Sequence, residues 1–144
     1  MKIISFTIIS IILSYGILNG QGNISPVDST KISSTKQLIL WTSGDREVAL
    51  KMVFMYGLYS KKNGWMDNVR LLIWGPSSKL LAEDLELQER LSELKNAGVE
   101  LYACKACADL YGVADKLTQL GITVMYTGEM LAKLQKNGWY ILSI

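Results

Sequence analysis

Four times in this chain a helical stretch closes on a glycine and an apolar run follows at once, at Gly64, Gly98, Gly121 and Gly138. Glycine accepts the left-handed backbone that caps a helix without a Cβ penalty, so each of these positions ends one element and frees the next. The runs that follow, residues 69–74, 99–103, 122–126 and 139–144, are short, as is the run 37–43 ahead of the first helix. Within 37–43, Leu38, Ile39, Leu40 and Trp41 are apolar without alternation. Such a strand is covered on both faces, as in a parallel sheet, and parallel neighbours need crossover connections. The rhythm therefore predicts an α/β domain with an open, five-stranded, mainly parallel sheet and helices on both faces.

The intervening segments read as helices. Over residues 47–62, Val48, Met52, Tyr56 and Tyr59 recur at helical spacing, with Ala49, Val53 and Phe54 widening the apolar face. Ser77 or Ser78 can cap a second helix running to residue 96, where Leu80, Leu87, Leu91 and Leu94 form one stripe against Glu83, Glu86, Glu89, Arg90 and Glu93. Residues 113–120 suit a short helix, and residues 129–136 a further one with Met130, Leu131 and Leu134 turned inward.

The first twenty residues stand apart. Met1 and Lys2 make a basic start, residues 3–18 are largely apolar, and Asn19, Gly20, Gln21 and Gly22 are small or polar. That is the order of a secretory signal peptide, and the apolar run is shorter than the roughly 20 residues of a permanent span. Residues 1–20 are thus expected to direct export, periplasmic or secreted, and to be cleaved. Contact with a membrane is expected only through this segment if it stays uncleaved. Residues 21–36 are rich in Ser, Thr, Asn, Gly and Pro and cannot bury enough surface to fold, so they read as a flexible linker to a domain over 37–144. Loss of Lys2 with the leader leaves 14 basic against 13 acidic residues, from 15 and 13 in the full chain. A domain so near neutrality lacks the clustered positive charge that nucleic acid demands, and no nucleic-acid partner is expected.

The composition removes much chemistry. There is no histidine, hence no histidine-dependent triad or histidine metal site. Two cysteines cannot fill a tetrahedral zinc shell by themselves. Gly44 is isolated, with no glycine-rich phosphate cradle around it. No metal and no cofactor are called for, and Glu83 with Glu86 reads as the solvated face of a helix.

In open parallel sheets ligands collect beyond the carboxyl ends of the strands. The residues placed there are Ser43, Gly44 and Asp45; Gly75, Pro76 and Ser77; Cys104, Lys105 and Cys107; and Thr127 with Gly128. Cys104 and Cys107 are the only cysteines, one at the end of the third strand and one a helical turn later. A thiol on the first turn of a helix meets unpaired N–H groups and the positive end of the helix dipole, both of which favour the reactive thiolate. Residues three apart share a helix face, so the sulfurs can meet. Cys104 can take sulfur as a persulfide, form a mixed disulfide or close a disulfide with Cys107. The other reading makes both cysteines small buried hydrophobes in a non-catalytic module that holds a small ligand or a partner. Outside the cytoplasm a nearby pair tends to be oxidised unless a reductant reaches it. Lys105 either favours the thiolate electrostatically or points to water.

Two runs carry a resemblance. Ile73, Trp74, Gly75, Pro76 and Ser77, with the acidic leucine-rich helix behind them, and Ala103 through Cys104, Lys105, Ala106, Cys107, Ala108 and Asp109 to Gly112 and Val113, resemble the DsrE/DsrF-like family, which includes sulfur-relay subunits of the TusD type. The resemblance covers most of residues 38–144. It implies a three-layer α/β/α domain with a five-stranded sheet and a persulfide-carrying cysteine just after the third strand, a position matched by Cys104. It also implies assembly as a homo-oligomer, trimer or hexamer, and a protein partner that donates or accepts sulfur or exchanges disulfides. The chain departs from the relay pattern twice. Relay members work in the cytoplasm, whereas this chain opens on an export signal, and Cys107 adds a second thiol able to resolve a persulfide or lock Cys104 in a disulfide.

Overall fold

Leu38 and Ile39 in one apolar run, and Leu71, Leu72 and Ile73 in the next, have no exposed surface. That double-sided burial makes them the centre of the sheet. The computed structural model describes residues 34–144; the signal segment and residues 21–33 of the linker lie outside the described residues. The strands are β1 (Lys36–Trp41), β2 (Asn68–Ile73), β3 (Glu100–Cys104), β4 (Thr123–Met125) and β5 (Tyr140–Ser143). They lie in the order β4-β3-β2-β1-β5, and every pairing is parallel. The helices are α1 (Arg46–Val48), which runs through a π-helical segment Ala49–Phe54 into α2 (Met55–Lys62), then α3 (Pro76–Glu83), α4 (Leu85–Asn96), α5 (Lys105–Leu110), α6 (Ala114–Gln119) and α7 (Gly128–Lys136). The expected five-stranded α/β/α architecture is what the chain forms, with a sheet that is wholly parallel.

Side chains alternate across a strand, and the two faces are unequal. Ile39, Trp41, Leu71, Ile73, Leu101 and Ala103 point into a large core closed by Val53, Phe54, Leu81, Leu87, Leu91, Leu94, Ala108 and Leu117, from the helical segments between Arg46 and Gln119. Leu38 and Leu72 point the other way and meet Leu134 of α7, with Leu40, Tyr102, Met130, Leu131 and Ile141 half-buried around them. Helix α7 covers that second face.

The glycine stops act as read: Gly64, Gly98, Gly121 and Gly138 all have positive φ, from 65° to 90°. Other details differ from the sequence reading. Met52 and Tyr59 are about half exposed, while Ala49, Val53, Phe54, Gly57 and Ser60 are buried. The π-helical segment widens the hydrogen-bonded turn by one residue, so an α-helical count carried through it selects the wrong face. A Cβ built on Gly57 would stand 3.2 Å from Ile39 Cδ1 and 3.3 Å from Leu94 Cδ2, which shows how closely α2 lies on the sheet and on α4. The helix expected to run unbroken to residue 96 divides at Asp84. There the backbone is extended, and the carboxylate accepts the Leu87 N–H at 3.0 Å to cap α4. Leu81 rather than Leu80 is the fully buried leucine of α3. Neither Ser77 nor Ser78 caps α3; Gly75 is its N-cap and Pro76 its first residue. Strand β1 begins at Lys36, inside the stretch read as linker, and Thr35 fastens that end by donating its N–H and hydroxyl to Asp67 at 2.7 and 3.0 Å.

Candidate functional site

The connections define a crevice. The chain leaving β3 enters α5 and α6, whose Ala108 and Leu117 belong to the large core, whereas the chain leaving β4 enters α7 on the opposite face. Adjacent strands whose exits diverge leave an opening between their carboxyl ends, the topological switch point of an open sheet. Cys104 and Met125 are the last residues of those strands and pair with each other, and Thr127 follows two residues later. The switch point therefore falls on Cys104.

Cys104 is both the end of β3 and the N-cap of α5, with extended backbone at φ −70° and ψ 113°. It shares its strand face with Tyr102, the face of α7, and is 6% exposed. Among the described residues no cap hydrogen bond of full geometry reaches its sulfur. Four groups are nevertheless directed at it. Burial is the largest single influence on the Cys104 thiol and pushes it up; the Cys107 N–H, the Thr127 hydroxyl, the Cys107 thiol and the Ala106 N–H together outweigh it and hold the thiol below its ordinary value. Cys107 moves the other way. Its burial, and the Cys104 sulfur to which its thiol is directed, raise it against the opposing Gly75 N–H. Cys104 is thus the more acidic of the two thiols. Both are free thiols, Cys104 buried and Cys107 half-buried.

Of the other expected residues, Gly75 reaches the pair through its N–H, from a backbone at φ 72° and ψ −134° that only glycine adopts without strain. Thr127 reaches it through its hydroxyl, and Gly128 begins α7 beside it. Ser77 serves the frame instead: its buried hydroxyl donates to the Trp41 carbonyl at 2.7 Å and accepts the Trp74 N–H at 3.0 Å, joining the ends of β1 and β2. Asp45 caps the first helix, and Ser43 holds the cap residue in place. Ser43 Oγ accepts the Asp45 N–H, and Asp45 Oδ1 accepts the N–H groups of Glu47 and Val48 at 2.8 and 3.0 Å. A Cβ on Gly44 would lie 3.2 Å from Pro76 Cβ, so that loop rests against the start of α3. Lys105 Nζ binds both oxygens of Asp109 at 2.8 and 2.7 Å, along the surface of α5. That the Gly75 N–H faces Cys107 escaped sequence reasoning, because an approach between distant segments leaves no mark on residue identity.

A second feature also left no sequence signal. The Arg70 guanidinium stands 4.4 Å from the centroid of Trp139 and 5.4 Å from that of Tyr102, and its Nε donates to Glu100 at 3.0 Å. It lines a cleft of about 310 Å³ with Tyr126, Glu129, Met130 and Lys133 on the side of α7. Among the described residues there is no group of three or more Cys, Asp or Glu side chains placed to hold a metal ion, and no helix long and apolar enough to cross a membrane.

A five-stranded parallel α/β/α domain with a cysteine at the sheet's switch point defines the class. The DsrE/DsrF-like family profile matches residues 53–144, and the chain belongs to that family. Among solved structures it is similar to BT1422, a conserved protein of unknown function from Bacteroides thetaiotaomicron, at 41% identity and a TM-score of 0.73, over 76% of this chain and 94% of that one. Two more distant structures share the fold. MTH1491 from Methanobacterium thermoautotrophicum, a protein of unknown function, is 20% identical with a TM-score of 0.59, over 76% of this chain and 99% of that one. The ychN protein from E. coli is 15% identical with a TM-score of 0.55, over 76% and 100%. No curated protein matches the sequence.

Proposed function

We propose that this protein is an exported sulfur carrier in which Cys104 accepts sulfane sulfur as a persulfide, with thiol–disulfide exchange as the same thiol's second outlet. The observation that carries this reading is the opposed displacement of the two thiols, Cys104 towards thiolate and Cys107 towards thiol, at the switch point of a sheet of the DsrE/DsrF-like family, which includes sulfur-relay members. The Cys104 thiolate attacks the outer sulfur of a donor hydropersulfide. The donor's S–S bond breaks, the donor leaves as its thiolate, and no external oxidant is required. An acceptor thiolate removes the sulfur by the same exchange. Alternatively, the Cys107 thiolate attacks Cys104 Sγ, hydrosulfide leaves, and the resulting Cys104–Cys107 disulfide awaits a dithiol reductant.

Intact-mass analysis after exposure of the reduced protein to a small hydropersulfide tests the reading. One added sulfur on the native chain, abolished by Cys104→Ser and spared or prolonged by Cys107→Ser, is the expected result; no adduct on accessible, reduced thiols overturns it. Export through residues 1–20 and assembly as a homotrimer or hexamer belong to the same reading, and the N-terminus and native mass of the mature protein report both.

A second reading, a non-catalytic binding module with structural cysteines, is favoured by an apolar cleft of about 570 Å³ lined by Met52, Met55, Tyr56, Tyr59, Trp65 and Ile144, on elements apart from the cysteines. It requires that the double serine variant keep its partner binding and oligomeric state.

A further inference from the structure

Thr127 is 1% exposed, and among the described residues its Oγ1 has no hydrogen-bond partner of full geometry. A buried hydroxyl left in that state costs free energy unless something makes use of it. Thr127 is the N-cap of α7, a helix of nine residues, yet no side-chain cap hydrogen bond closes the first turn, whose N–H groups have no intrahelical acceptor. The hydroxyl is directed at the Cys104 sulfur. Beside it the first turn is open: a Cβ built on Gly128 meets nothing within 4 Å among the described residues. A buried hydroxyl without a full hydrogen bond and a positive helix end thus lie together beside the sulfur at the end of β3, where an additional atom bonded to Cys104 Sγ can engage both.

We propose that Thr127 and the first turn of α7 form the subsite that holds the outer sulfur of the Cys104 persulfide as an anion, with Thr127 as the positioning residue. This inference rests on the reading of Cys104 as a sulfur acceptor. A persulfide anion is attracted to a helix N-terminus and accepts a hydroxyl hydrogen bond better than the neutral form does. Its protonation state also decides its fate. Attack of the Cys107 thiolate on Cys104 Sγ breaks the persulfide S–S bond and expels hydrosulfide from the protonated form, whereas the anionic form would have to expel a sulfide dianion. Holding the outer sulfur deprotonated therefore keeps it on Cys104, nucleophilic and ready for an acceptor.

The test loads the full mature protein with a small hydropersulfide, removes the donor, and follows persulfide lifetime by intact mass together with hydrosulfide release. Thr127→Val, which keeps the side-chain shape and removes the donor, is expected to shorten the lifetime roughly threefold to tenfold, the worth of one hydrogen bond, with hydrosulfide and the internal disulfide appearing in step. Thr127→Ser is expected to restore it, and in a Cys107→Ser background the difference between Thr and Val is expected to collapse. Gly128→Leu, which fills the open space without altering the donor, is expected to lower the yield of adduct and covers the case in which Thr127→Val fails to fold. A persulfide equally long-lived in Thr127→Val and equally abundant in Gly128→Leu overturns the inference while leaving Cys104 a sulfur carrier. A native chain that takes up no sulfur overturns both.

Discussion

The thiol of Cys107 is directed at the sulfur of Cys104 one helical turn before it, and the two are displaced in opposite directions, Cys104 down and Cys107 up. The difference between the two thiols has a structural cause. Cys104 collects two N–H groups and a hydroxyl, whereas Cys107 has the single N–H of Gly75.

Alkylation reads this directly. Because a lowered pKa enlarges the thiolate fraction at neutral pH, Cys104 is expected to react with iodoacetamide at a lower pH than an ordinary thiol, and before Cys107. Cys107→Ala removes one donor, so the Cys104 profile is expected to move to higher pH and its rate at neutral pH to fall roughly threefold. Peptide mapping of the alkylated sites across pH checks both, and an unmoved profile would contradict the influence of the Cys107 thiol on Cys104.

Gly75 joins backbone conformation to the site. A Cβ there meets no neighbour within 4 Å among the described residues, so the cost of Gly75→Ala is that of φ 72° and ψ −134° alone. Denaturant unfolding is expected to show a loss of about 1–3 kcal/mol. Any shift of the Gly75 N–H is expected to raise Cys107 further, because that N–H opposes its upward displacement, and the alkylation profile of Cys107 in the variant reads it.

Asp84 carries the break between α3 and α4. Its carboxyl is held below the ordinary range, foremost by the Leu87 N–H; burial opposes this, and the Arg46 guanidinium at 2.8 Å adds to the lowering. A depressed folded pKa contributes stability that is present above the ordinary carboxylate range and lost as pH falls through the lowered folded value. Asp84→Ala is expected to cost about 1 kcal/mol at neutral pH. Urea melts should show the gap between variant and native chain closing on acidification, and Asp84→Asn, which keeps an acceptor, should lose less.

Gly57 tests the closeness of α2 to the sheet. The atoms facing an added Cβ, Ile39 Cδ1 and Leu94 Cδ2, are the ends of side chains and can yield slightly. Gly57→Ala is expected to be near neutral, the better helix propensity of alanine, about 1 kcal/mol, offsetting the tight contact. Gly57→Leu is expected to destabilise by about 1–3 kcal/mol through overpacking. Thermal melts of the two variants separate these outcomes.

Signals that are local in the chain were legible. Gly64, Gly98, Gly121 and Gly138 marked helix ends because a left-handed cap is a property of one residue, and the unbroken apolar runs at 38–41 and 71–73 marked central strands because burial on both faces is visible in consecutive side chains. Other features were hidden for identifiable reasons. The π-helical segment Ala49–Phe54 changes the period on which the count depends. Asp84 resembles the other acidic residues around it until its N–H partner is seen, and Ser77 read as a cap or pocket residue because nothing in its neighbourhood names the Trp41 carbonyl 36 positions earlier.

By itself the sequence determined the class of fold and the residues that follow each strand, Cys104 and Cys107 among them. The tertiary structure decided which residues share the carboxyl edge. Cys104 meets Thr127 because β3 and β4 are neighbours whose exits part to opposite faces, and Cys107 meets the Gly75 N–H because the start of α3 lies across from α5. Strand order and crossover direction are set by how the whole chain buries its apolar faces, a condition no local stretch contains. The balance of burial, N–H groups and hydroxyl that separates the two thiols exists only once those distant segments have packed.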